Sequence, residues 1–79
     1  MLDDLPPWIQ QHCWAVGHRL RDLRQERGLM QMQLGTRAGI DNKTISRIEN
    51  GRHPTSIDQI ARLARALDVP SYRLFHDGP

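Results

Sequence analysis

Asn42, Lys43, Ser46 and Arg47 bring a carboxamide, an ammonium, a hydroxyl and a guanidinium together within a span of six residues. On a helix these positions fall on successive turns of one face. Every one of these groups donates hydrogen bonds. The carboxamide and the guanidinium carry planar groups that match paired acceptors. This is the chemistry of recognition, and it suits a flat, acceptor-rich or anionic partner. No serine-histidine-acid set and no pair of carboxylates stands near them, so no catalytic residue is expected. The four histidines and the single cysteine, Cys13, lack the spacing of a zinc site. His12 and Cys13 are adjacent and point apart on a helix, while His18, His53 and His76 are isolated. No metal, cofactor or small-molecule ligand is therefore expected.

These four groups need a helix, and the helix needs a support. Asp41 is a suitable N-cap, since its carboxylate can accept from amides two and three residues on. The spacing predicts a helix over 42–50, with Ile45 and Ile48 inward and Asn42, Lys43, Ser46, Arg47 and Asn50 outward. Asn50-Gly51 ends it. A second helix is expected from residue 30 or 31 to 38, with Leu34 and Ala38 buried, followed by a turn at Gly39 and an inward Ile40. Two such short helices do not hold each other alone. Upstream, Pro6-Pro7 starts a long first helix running to about Arg27. Ile9, Cys13, Val16, Leu20 and Leu23 fall on one face of it, Gly17 is a point of weakness or bending, and Gly28 is the stop. Downstream, Ser56 and Gln59 form a capping-box pattern. Ile57, Ile60, Leu63, Ala64 and Leu67 give the inward face of a fourth helix, which Val69-Pro70 breaks. A short fifth helix is expected over 71–75, with Leu74 and Phe75 closing the core.

No run alternates as a strand would, so the fold class is all-α: a compact five-helix domain with an extended first helix. The expected division is an N-terminal extension at 1–15 continuing into the first helix, a domain at 16–75 and a frayed tail at 76–79. With 79 residues, 38% of them apolar, the chain can form one small core and bury about 60% of its unfolded surface. No apolar run approaches the roughly 18 residues of a membrane span. The start, Met1-Leu2-Asp3-Asp4, is unlike a signal peptide. A cytoplasmic protein without membrane contact is expected. A lone Cys13 allows no internal disulfide and reads as a half-buried helix residue.

Net charge is +2, but the stretch from Arg19 to Arg65 holds ten of the eleven basic residues and five of the nine acids, a net +5. A polyanionic partner fits this distribution, and so does an ordinary solvated face. The expected outward helix narrows the choice. An α-helix with side chains is about 10–12 Å wide, and the major groove of B-DNA is about 12 Å wide. Asn42 can pair with adenine, and Lys43 or Arg47 can donate to guanine O6 and N7. Asn42 is also an ordinary first-turn capping residue. Ser46 could reach a base or simply be small enough to allow close approach.

The run Gln31-Met32-Gln33-Leu34-Gly35-Thr36-Arg37-Ala38-Gly39-Ile40-Asp41-Asn42-Lys43-Thr44-Ile45-Ser46-Arg47-Ile48-Glu49-Asn50-Gly51 resembles the helix-turn-helix of the lambda-repressor-like family, of Cro/cI or XRE type. The likeness extends upstream through Leu20, Leu23, Arg24 and Gly28, and downstream from Ile57 to Phe75. It covers about 60 residues, with Gln, Leu, Ala-Gly-Ile, Ile-Ser-Arg-Ile-Glu and Gly together at the family spacings. The resemblance implies a sequence-specific regulator of transcription that binds double-stranded DNA. Asn42, Lys43, Ser46 and Arg47 would read bases. Gln31, Thr44, Asn50 and Arg52 would contact the DNA backbone. Arg24 and Glu49 would form an internal ion pair between the first and third helices. A dimeric repressor reading a palindromic operator is the expected form, and an antitoxin subunit that also binds a protein toxin is the alternative.

The chain departs from the family pattern in three places. Met30 stands where Ser or Thr is usual and should leave the second helix without a side-chain cap. Gly35 replaces the usual alanine, which either weakens that helix or permits closer approach of the third. The first fifteen or so residues have no counterpart in the minimal family fold. They carry Trp8, Ile9 and Trp14, which either pack on the domain's own first helix or contribute to a homodimer interface. Tyr72, Leu74 and Phe75 offer a competing dimer surface. A toxin or co-regulator is the other partner considered.

Overall fold

A computed structural model describes residues 5–76. The expected extension residues Met1 to Asp4 and the last three tail residues lie outside the described residues. The elements are α1 (Pro7–Glu26), α2 (Gln31–Ala38), α3 (Asn42–Glu49), α4 (Ile57–Leu67) and a terminal 3-10 helix (Ser71–Leu74). No strand occurs among the described residues. The fold is all-α, with a single 3-10 turn where a fifth helix is expected.

Each boundary has a local cause. Pro7 occupies the first helical position of α1, where no amide is required. Gly28, at φ +68°, closes α1. Its amide donates to the Gln25 carbonyl and the Leu29 amide donates to the Arg24 carbonyl, the two bonds of a Schellman motif. The same motif closes α3: Gly51 has φ +71°, and the Arg52 amide donates to the Arg47 carbonyl at 2.8 Å. Asp41 caps α3 by accepting from the Thr44 amide at 2.8 Å. Ser56 and Gln59 cap α4 reciprocally. Asp68 ends α4 in the left-handed region at φ 58°, the one non-glycine residue there among those described.

The core is built from Leu20, Leu23, Leu29, Leu34, Ala38, Ile45, Ile48, Ile60, Leu63, Ala64, Leu67 and Leu74. α1 packs on α3, α2 on both α3 and α4, and the 3-10 helix on α4 and α1. Every helix therefore contributes to one apolar centre, and each fully buried Leu or Ile contributes about 1.5–3 kcal/mol. Val16 and Ile40 pack at its margin. Cys13 is half-buried. No helix among the described residues is long and apolar enough to cross a membrane.

Two expectations need correction. Ile57 is 89% exposed, not inward. It is the first residue of α4, and side chains lean toward the helix N-terminus, so at that position nothing lies beneath it. Phe75 is 55% exposed and does not close the core; Leu74 does so alone. The 3-10 turn is one short element and inserts only one side chain. Met30 does lack a side-chain cap of its own, yet its amide is satisfied by Gln33 Oε1 at 2.8 Å, half of a capping box that does not need Ser or Thr. Gly35 is a point of contact: a Cβ there would sit 2.5 Å from the Ile40 carbonyl oxygen. Of the two readings of Gly35, close approach is the one this geometry supports. The neighbour is the turn into α3, whose Ile40 amide also donates to the Gly35 carbonyl.

Candidate nucleic-acid interface

α3 turns Ile45 and Ile48 into the core and leaves Asn42, Lys43 and Arg47 exposed, with Thr44 and Ser46 half-buried at the edges. Asp41, Asn42, Lys43, Thr44 and Arg47 line one shallow, open groove at the start of the helix. The Asp41 carboxylate is committed locally: it accepts from the Thr44 amide and, at 3.0 Å, from the Thr44 hydroxyl. These two bonds hold its carboxyl below the usual aspartate range, with a smaller contribution from the Arg47 charge. Its negative charge is thus tied to the helix terminus, while Lys43 and Arg47 extend outward.

The far end of α3 is held by a buried carboxylate. Glu49 is fully buried. Arg24 grips it with two bonds, Nε to Oε2 at 2.6 Å and Nη2 to Oε1 at 3.0 Å, and donates a third to the Leu29 carbonyl. Gln31 Nε2 donates to Glu49 Oε1 at 3.1 Å, and Arg21 Nε lies 3.5 Å from the same oxygen. A planar guanidinium facing a carboxylate in this way fixes direction as well as distance. α1, α2 and α3 therefore meet at one charge, and the outward face of α3 is fixed relative to the rest of the domain.

The residues singled out in the sequence distribute as follows. Asn42, Lys43, Ser46 and Arg47 share the outer side of α3. Gln31, at the start of α2, turns its amide to Glu49. Thr44 gives its hydroxyl to Asp41. Asn50 accepts from Arg21 Nη2 at 3.1 Å and donates to Ser46 Oγ at 3.5 Å. Arg52 is exposed immediately after the α3 stop. Trp8 is 63% exposed and stands edge-on to His12. Ile9 is half-buried, Tyr72 is exposed and stacks on His76, and Phe75 borders a shallow apolar groove with Ile9, Cys13 and Val16. No group of three or more potential metal ligands occurs among the described residues.

One set escaped the sequence reading. Gln10, Trp14, Gly17, Arg21 and Arg24 follow the same four-three spacing as the apolar face of α1, shifted by one residue. All five meet the C-terminal end of α3 or the turn that follows it. Gln10 Nε2 donates to the Gly51 carbonyl at 3.0 Å, and the Trp14 ring edge covers Gly51. A Cβ on Gly17 would overlap the Ile48 carbonyl oxygen. Arg21 and Arg24 reach Asn50 and Glu49. The set mixes a polar, an aromatic, a small and two basic residues, so hydrophobicity alone hides it. Its periodicity was the available signal.

A model described as a helix-turn-helix domain matches residues 15–73. The chain belongs to the lambda-repressor-like helix-turn-helix family. It is 46% identical over 57 residues, 71% of its length, to the HTH-type transcriptional repressor RghR of Bacillus subtilis, of which the match covers 42%. It is 33% identical over 55 residues, 70% of its length, to the immunity repressor protein of Bacillus phage phi105, covering 38% of that protein. The chain thus spans about two fifths of these repressors. Among solved structures, it resembles the restriction-modification controller protein C.AhdI from Aeromonas hydrophila, with a TM-score of 0.78 and 36% identity over 80% of this chain and 96% of that one. It also resembles the hypothetical transcription factor NHTF from Neisseria, at 0.80 and 26% identity over 86% and 78% of the two chains. The family match begins at residue 15, so Gln10 lies upstream of the family frame and Trp14 at its border.

Proposed function

We propose that this chain is a sequence-specific regulator of transcription that inserts α3 into the major groove of double-stranded DNA. The observation that carries this reading is the outer face of α3: Asn42, Lys43 and Arg47 exposed together on a helix whose other side is locked to the domain through Glu49. Such a helix can enter the groove without deforming its support. Asn42, Lys43, Ser46 and Arg47 then face base edges, with Arg47 and Lys43 suited to guanine and Asn42 to adenine. Gln31, Thr44, Asn50 and Arg52 lie near the flanking phosphates. Membership of a family whose named members include repressors supports the same reading, with repression as the sign of regulation.

The working form is a homodimer on a palindrome, with two α3 helices about 34 Å apart in half-sites one turn of DNA apart. Exposed Trp8, Tyr72 and Phe75 supply apolar surface for the second copy. The second reading, an antitoxin that also holds a protein toxin, draws on the same exposed Trp8. A toxin encoded beside the gene, or one that co-purifies with the chain, separates them, since the first reading needs neither. Gel shift against the DNA upstream of its own gene tests the main claim. A discrete complex that Arg47→Ala weakens is expected. Binding without sequence preference, unchanged by Arg47→Ala, would refute it.

A further inference from the structure

The stripe Gln10, Trp14, Gly17, Arg21, Arg24 runs along α1 past the end of α3, and its first two members reach the turn that follows it. They touch Gly51, the residue between Asn50 and Arg52. Gln10 Nε2 donates to the Gly51 carbonyl at 3.0 Å, across 41 positions of sequence. The Cδ1–Nε1 edge of Trp14 lies against the Gly51 α-carbon so closely that no Cβ would fit. Gly51 is buried beneath the indole although it belongs to a surface turn. Its positive φ directs the chain so that the Arg52 amide returns to the Arg47 carbonyl. A hydrogen bond and a flat aromatic edge therefore hold one glycine from above and fix the departure of Arg52. A chain that began at the family frame would lack Gln10, and Trp14 would fall outside it.

We infer that Gln10 and Trp14 are positioning residues that clamp the turn after the recognition helix and present Arg52 to a DNA phosphate. The inference rests on the proposed DNA-binding function, and it gives the N-terminal extension a role within that function. Trp14 acts through Gly51 and does not need to touch DNA. A side chain half exposed and half pressed on a turn fits that role, since the turn needs only one face of the ring.

Two measurements test it. Amide hydrogen exchange on the free protein reads the clamp without DNA. Trp14→Ala and Gln10→Ala should speed exchange at the Arg52 amide, while the Ile45 and Leu63 amides keep their protection. Trp14→Phe should restore most of the protection at Arg52. Uniformly faster exchange, or none at Arg52, overturns the clamp. Salt-dependent titration on a selected DNA site reads the consequence. Trp14→Ala should weaken binding roughly three- to tenfold and reduce the slope of log K against log salt by about 0.9, the value of one phosphate contact. Arg52→Ala should do the same, and the double variant should lose no more than either single. An unchanged slope, or full additivity in the double variant, overturns the link to Arg52. Loss of global stability alone would not alter the slope at a temperature where both proteins are folded. A wild-type chain that binds no DNA would defeat the proposed function, and the exchange data would still decide the clamp.

Discussion

At the residue scale, the acidic group at the start of α3 is put to use as a cap. Asp41 stands beside Lys43 and Arg47 and keeps its charge, since its oxygens accept from the Thr44 amide and hydroxyl and these bonds favour the ionised form. This has a pH signature. The folded carboxyl titrates below the ordinary aspartate value of about 3.9. A lowered folded value means that its contribution is complete above the unfolded value and is lost as pH falls through the folded one. Wild type should melt above Asp41→Asn at neutral pH, and the gap should close in strong acid, as thermal melts across that range will show. An unvarying gap would mean that the charge is irrelevant to the cap. Asp41 as an N-cap was legible from its type and place. The roles of Gln31 and Asn50 were less so, because each makes an internal bond to a residue distant in sequence, Glu49 and Arg21 respectively.

At the scale of elements, the orientation of α3 depends on α1 in two ways, one electrostatic and one steric. Removing Arg24 takes the two-bond partner from the buried Glu49 and leaves only the partly exposed Arg21 at 3.5 Å and the Gln31 amide facing it, and a buried carboxylate stripped of its partner costs about 3–5 kcal/mol. Arg24→Ala should therefore lower the unfolding free energy by up to about that amount in a denaturant titration. Gly17 makes the steric case with the opposite sign from helix propensity. In an open helix, alanine for glycine is favourable by about 1 kcal/mol. Here the added Cβ meets the Ile48 carbonyl, so Gly17→Ala should destabilise by about 1–3 kcal/mol in the same titration. Stabilisation would show that α1 and α3 are not in close contact. From sequence alone Gly17 read as a weak point in α1, since a glycine needed for approach looks the same as one that merely breaks a pattern. The apolar face of α1 was easy to see because its members are alike. The second stripe, one residue further round, was hidden because its members are not.

At the scale of the whole molecule, the order and extent of the four α-helices followed from caps, glycine stops and apolar spacing. The errors came at the ends of elements, where spacing and apolarity do not decide burial. Ile57 is apolar and correctly spaced, but it precedes the part of α4 that faces the core. Phe75 is large and apolar, but the 3-10 turn before it already places Leu74 in the centre. Both residues are left on the surface, and with Trp8 and Tyr72 they bear on which face a second copy would cover. The recognition surface was legible because the helix-turn-helix concentrates it in one short segment with an obvious inside and outside. Selection of bound sites from a pool of random duplex DNA tests the central claim most directly. Wild-type protein should enrich a short motif repeated with inverted symmetry about one helical turn apart. Arg47→Ala should relax the motif at one base position, at a cost of about 1–3 kcal/mol in discrimination. Failure of the wild type to enrich any motif, or the same motif from Arg47→Ala and Lys43→Ala, would contradict the assignment of α3 as the reader of DNA.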